Sequence, residues 1–197
     1  LNPVYREFVS NLSIKPSSIA SWKDIPCMPI SFFKSHKILL GGLKSNRKFL
    51  SSGTSGQVRS VKYLTETEFY EKLSRQIFEK QFGELQDYAI FALLPSYLDN
   101  NESSLIYMID HFINVSGSET GGFYNREFDK LIDDIEMAKS SNRKIILWGV
   151  SFALLDLAEK YAPDLSDIKV FETGGMKGRK EEITREQLHS IIKSGTG

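Results

Sequence analysis

Apolar positions along the chain fall into spaced stripes and unbroken runs, and the two patterns together predict most of its secondary structure. Val4, Tyr5, Phe8, Val9 and Leu12 recur at helical spacing over residues 1–12. A Ser/Pro-rich stretch with Pro16, Pro26 and Pro29 ends that helix and predicts an extended crossing segment. Phe49 and Leu50, then Val58, Val61 and Tyr63 in alternation, predict two strands around the turn Ser51-Ser52-Gly53-Thr54-Ser55-Gly56. Thr65 and Glu68 have capping-box spacing, and Gly83 supplies a stop. Between them a helix is predicted over 66–82 with Phe69, Leu73 and Ile77 as its apolar stripe.

The second half alternates strand and helix. The continuous run over 88–94 predicts a buried strand, followed by a helix over 103–115 and another over 126–139 with Phe128, Leu131, Ile132 and Ile135 inward. Residues 144–149 carry an uninterrupted Ile-Ile-Leu-Trp core, which requires cover on both faces. A helix over 152–161, a short strand over 168–172 and a last helix with Leu188, Ile191 and Ile192 complete the series. Such alternation predicts an α/β fold, a largely parallel sheet with flanking helices. The expected organisation is one incomplete N-terminal domain, with an entry helix and extended segment to about residue 46 and the α/β core over 47–197. The sequence stops at Ser194-Gly195-Thr196-Gly197, directly after a helix, where a parallel sheet ordinarily takes up another strand; continuation of the natural protein is the expectation.

Composition narrows the partners. With 41% hydrophobic residues, and 25 basic side chains balanced by 25 acidic ones, the chain can bury a core but offers no basic surface to neutralise a nucleic-acid backbone. The apolar runs at 89–94 and 145–150 fall far short of the roughly 20 residues a membrane span needs, and no basic start precedes an apolar stretch, so no membrane insertion and a cytoplasmic location are expected. The single cysteine, Cys27, has no partner for an internal disulfide; among Pro, Met and Ile it is expected to be a core thiol. His36, His111 and His189 are too scattered for zinc-ligand spacing, and His111 is expected to be a hydrogen-bonded helical residue.

The hexapeptide Ser51-Ser52-Gly53-Thr54-Ser55-Gly56 is the strongest chemical signal. Small residues let successive backbone N–H groups turn inward around an anion, and hydroxyls add donors to phosphate oxygens. No Gly-Lys-Ser/Thr follows, so the pattern is not a Walker loop. An ordinary hairpin turn is the alternative on composition alone. Three further strings accompany it: Ile25-Pro26-Cys27-Met28-Pro29-Ile30 with Phe33-Lys34; Leu94-Pro95-Ser96-Tyr97-Leu98 with Ser103-Ser104-Leu105-Ile106-Tyr107-Met108; and Glu172-Thr173-Gly174-Gly175-Met176-Lys177-Gly178-Arg179.

Together these strings resemble the acyl-protein synthetases of the bioluminescence fatty-acid reductase system, a branch of the adenylate-forming superfamily of acyl-CoA synthetases, adenylation domains and luciferases. The resemblance implies an acid–thiol ligase that uses ATP and Mg2+ to convert a carboxylic acid, fatty in this branch, into an acyl-adenylate. The acceptor would be a protein thiol, or coenzyme A in relatives of the phenylacetate-ligase type. It implies that residues 51–56 bind the ATP phosphates, that Gly174, Gly175 and Met176 pass along the adenine, and that Pro95, Ser96 and Tyr97 line or gate the acyl pocket. The Gly-Gly string alternatively reads as a turn into a solvated helix start, and the strand-end Pro95 and Tyr97 as packing. Gln57-Val58-Arg59-Ser60 stand where the superfamily often has proline and lysine, with Arg59 as a substitute charge. The aromatic-Gly-x-Thr-Glu segment, the ribose-binding aspartate and the C-terminal catalytic lysine are not in these 197 residues, so this polypeptide alone is expected to be inactive. A non-catalytic α/β interaction module is the reading from a different class.

Overall fold

A computed structural model describes residues 2–51, 58–95, 102–174 and 183–196. The chain divides into two compact units, Leu1–Lys72 with Glu102–Ser104, and Leu73–Asn101 with Leu105–Gly197.

In the first unit, helix α1 (Pro3–Asn11) is capped by Asn2, whose side-chain oxygen accepts the Tyr5 N–H at 3.0 Å. The Pro-rich stretch then holds two single 3-10 turns, Pro16–Ser18 and Trp22–Asp24, and a one-turn helix α2 (Phe32–Ser35). Its packing is aromatic: Phe8 meets Phe32 edge-on, and Phe32 stacks on His36. Strands β1 (Arg47–Leu50) and β2 (Val61–Leu64) form an antiparallel hairpin with Leu50 opposite Val61. Ladder pairing starts at Val61 and not at Val58, which is largely exposed. Cys27 also corrects its expectation. It is exposed, while its neighbours Pro26 and Met28 are half-buried and the Tyr5 hydroxyl donates to the Pro26 carbonyl.

Helix α3 (Glu68–Phe82) begins two residues later than its apparent capping box and ends where expected, at Gly83 with φ +95. Its buried row is not the anticipated one. Phe69, Leu73 and Ile77 are exposed, whereas Phe78 is buried with its ring 5.1–5.5 Å from those of Phe82, Phe112 and Tyr88. The rows 69/73/77 and 70/74/78/82 are neighbours on one helix, so periodicity names both, and the ring partners decide between them.

The second unit is built on a four-stranded sheet: β3 (Tyr88–Leu93), β4 (Gly122–Tyr124), β5 (Lys144–Val150) and β6 (Lys169–Thr173). The order is β4-β3-β5-β6 and every pairing is parallel, which bears out the α/β reading. Helices α4 (Ser104–Ser116), α5 (Phe128–Lys139), α6 (Ser151–Lys160) and α7 (Arg185–Thr196) complete it. Neighbouring residues of β5 show the two covered faces. Trp148 packs on Phe78, Phe112 and Phe171, while Gly149 lies against Leu154 of α6. Strand β3 is buried at every position, as a parallel strand between two layers must be.

Strand β4 has only three residues and leaves no alternating signature. Gly121 (φ +106) brings the chain so close to the Ile90 carbonyl that an added Cβ would lie 2.4 Å from its oxygen. Helix α7 starts with a capping box absent from the sequence reading: the Gln187 N–H donates to Thr184 Oγ1, and the Thr184 N–H donates to Gln187 Oε1. Among the described residues no helix is long and apolar enough to cross a membrane.

Candidate functional site

Parallel order and register create an edge. Leu93 of β3 pairs with Gly149 of β5, and Gly149 with Glu172 of β6, so the C-terminal ends of these strands come out level. After β3 the chain runs toward β4 on one side, and after β5 toward β6 on the other. The ends of β3 and β5 therefore flank a reversal of strand order, the place where open α/β sheets form ligand crevices. Pro95 leaves β3 at this edge, buried. Gly174 leaves β6 at the same edge, exposed and with φ +83, a conformation that favours glycine. Two strand spacings put the strand ends that carry them roughly 10 Å apart. Ser96, Tyr97, Gly175 and Met176 lie outside the described residues.

A side chain that the sequence reading passed over fixes the Gly174 turn. Ser151 is the first residue of α6, directly after the β5 run, and is buried. Its hydroxyl donates to the Glu172 carboxylate and lies 3.2 Å from the Gly174 carbonyl oxygen. Arg185 Nη2 approaches the other Glu172 oxygen at 3.8 Å. Glu172 is thus tied from two elements, and the same serine lies beside the backbone two residues on. A hydroxyl-bearing residue that ends an apolar strand run was the available signal. On the opposite rim of the sheet, Tyr124 of β4 donates to Asp134 at 2.6 Å; burial first, and that hydrogen bond second, push its phenol above the ordinary tyrosine range.

In the other unit, the hairpin that carries the hydroxyl-rich turn is closed at its base. The Ser51 N–H donates to the Ser60 carbonyl and the Ser60 N–H to Ser51 Oγ, both at 2.9 Å. Arg59 Nε donates to the Ser51 carbonyl at 2.6 Å, so this arginine is engaged at the turn's foot. From the outer side, the Leu50 N–H donates to the Glu102 carbonyl at 2.9 Å, and Lys48 pairs with the Glu102 carboxylate at 2.7 Å. That hydrogen bond and charge raise the Lys48 pKa. Ser52, Gly53, Thr54, Ser55 and Gly56 lie outside the described residues.

Below the hairpin base is a cavity of about 370 Å³, walled by Ile30, Phe33, Phe49 and Tyr70 and reaching Ser51 and Lys62. Burial raises the Tyr70 pKa; its hydroxyl donates to the Ser104 carbonyl at 3.0 Å. Ile30 and Phe33 of these walls belong to a string noted in the sequence for another reason.

No family model matches the chain, and no curated protein or solved structure matches it either. Among the described residues no three carboxylate, histidine or cysteine groups converge to hold a metal.

Proposed function

We propose that the protein activates a carboxylic acid, of the fatty class, by joining it to the AMP moiety of ATP, and that the acyl group then passes to a protein thiol. A carboxylate oxygen attacks the α-phosphorus, the bond to the bridging oxygen of pyrophosphate breaks, and acyl-adenylate forms. A thiolate then attacks the acyl carbon, AMP leaves, and the thiol proton goes to solvent. Phosphoryl chemistry of this kind depends on positioning and charge stabilisation, which donors fixed before the substrate arrives supply best.

The observation that carries the proposal is the closed base of the hairpin at Ser51, Arg59 and Ser60. A Ser/Gly-rich turn on a closed base has the composition to present N–H and hydroxyl donors to a polyphosphate. The Glu172-Thr173-Gly174 turn gives a second support, since it leaves a parallel sheet at the edge where such folds bind ligands. Pro95, with Ser96 and Tyr97 next in sequence, lies at that edge and is the proposed acyl gate; Gly175 and Met176 continue the proposed adenine segment.

The test is acid-dependent release of pyrophosphate from Mg-ATP by the natural gene product. Release with medium-chain or long-chain fatty acids supports the reading, and silence with fatty, aromatic and short-chain acids alike removes it. Supplying coenzyme A in place of a protein thiol separates the phenylacetate-ligase type of acceptor. The non-catalytic interaction module has an observation of its own in the exposed Trp22 and Ile30, 77% and 79% accessible. That reading requires partner binding that ATP does not alter.

A further inference from the structure

We infer that the cavity beneath the hairpin is a binding site for an amphipathic carboxylate, with its apolar body against Phe33, Phe49 and Tyr70 and its charge on Lys62. The inference stands on the cavity itself, and needs no adenylation.

Four features lead to it. The size, about 370 Å³, falls in the range of small-molecule sites. Three walls are aromatic, and Phe49 and Tyr70 pack with ring centres 5.3 Å apart, so a rigid apolar surface exists before any ligand arrives. Tyr70 keeps its hydroxyl occupied by the Ser104 carbonyl, which leaves the ring to contact the ligand and excludes the phenol as a competing polar group. Lys62 is the one cation among the described lining residues. It pairs across the hairpin with Phe49 and so projects from the same face. Lys48 is matched to Glu102 and Lys37 sits over the Tyr63 ring, whereas the Lys62 ammonium has no hydrogen-bond or ion-pair partner among the described residues.

An apolar cavity with one unmatched ammonium selects a single negative charge at the end of a hydrocarbon or aromatic body. A neutral lipid leaves the cation unused, and a polyanion meets only one cation and an apolar wall. Each added methylene contributes about 0.8 kcal/mol, or roughly fourfold in affinity, until the cavity is filled. The ammonium is solvent-exposed, so its contribution is bounded at about fivefold.

The experiment is titration of the isotope-labelled chain, without ATP, with butyrate, hexanoate, octanoate and octan-1-ol, read by amide shifts. Expected are shifts centred on Phe49, Lys62 and Tyr70, affinity rising about fourfold per methylene, and octanoate several-fold tighter than octanol. Lys62→Gln brings octanoate down to octanol, and Lys62→Arg restores the difference. The inference is overturned by equal affinity for acid and alcohol, by Lys62→Gln binding as wild type, by shifts centred on the Pro95 edge instead, or by no binding. Failure here leaves pyrophosphate release untouched, and failure of pyrophosphate release leaves these shifts untouched.

Discussion

Gly149 lies in the middle of the sheet, where a Cβ would come within 2.4–2.5 Å of the Leu154 side chain on α6. Its φ is ordinary, so backbone strain plays no part and the constraint is volume. Gly149→Ala should destabilise the protein by about 1–3 kcal/mol in urea unfolding, the usual cost of overpacking a filled interior. Tyr124 gives a pH-dependent counterpart. Its folded pKa lies above the unfolded value near 10, so the native state holds the proton more tightly. This stabilisation is fully present below pH 10 and is lost as pH rises through the folded value. Unfolding free energy should therefore fall on raising the pH above 10, and Tyr124→Phe should remove that part of the fall while costing about 1 kcal/mol at neutral pH.

At the scale of elements, α3 shows what a sequence pattern does and does not carry. Residues 88–94 and 144–149 were legible as strands because burial between two layers demands unbroken apolar text. The face of α3 was not legible, since two adjacent rows are apolar and only the rings of Tyr88, Phe112 and Trp148 choose Phe78 over Leu73. Strand β4 was hidden for another reason: three residues, the first of them a positive-φ glycine that follows another, leave no period to detect. Phe78→Ala should cost about 3–5 kcal/mol in urea unfolding. Leu73→Gln should stay within about 0.5 kcal/mol of wild type. The reverse ranking would return the 69/73/77 row to the interior. Of the candidate site, Gly174 and the hairpin turn could be named from residue type. Ser151 left only the hydroxyl that ends an apolar strand run, and Lys62 and Tyr70 left nothing, because the first acts through its cross-strand pairing with Phe49 and the second through its contacts with Phe49 and Ser104, which a single sequence does not display.

For the whole molecule, the central claim is that residues 51–56, held at the Ser51–Ser60 base, grip the phosphates of ATP. Hydrogen–deuterium exchange of this chain with and without ATP reads that directly. The account predicts slower exchange over residues 51–60, with a second protected stretch beginning at Gly174. Binding of ATP that leaves 51–60 unprotected, or no protection anywhere at millimolar ATP, would contradict it.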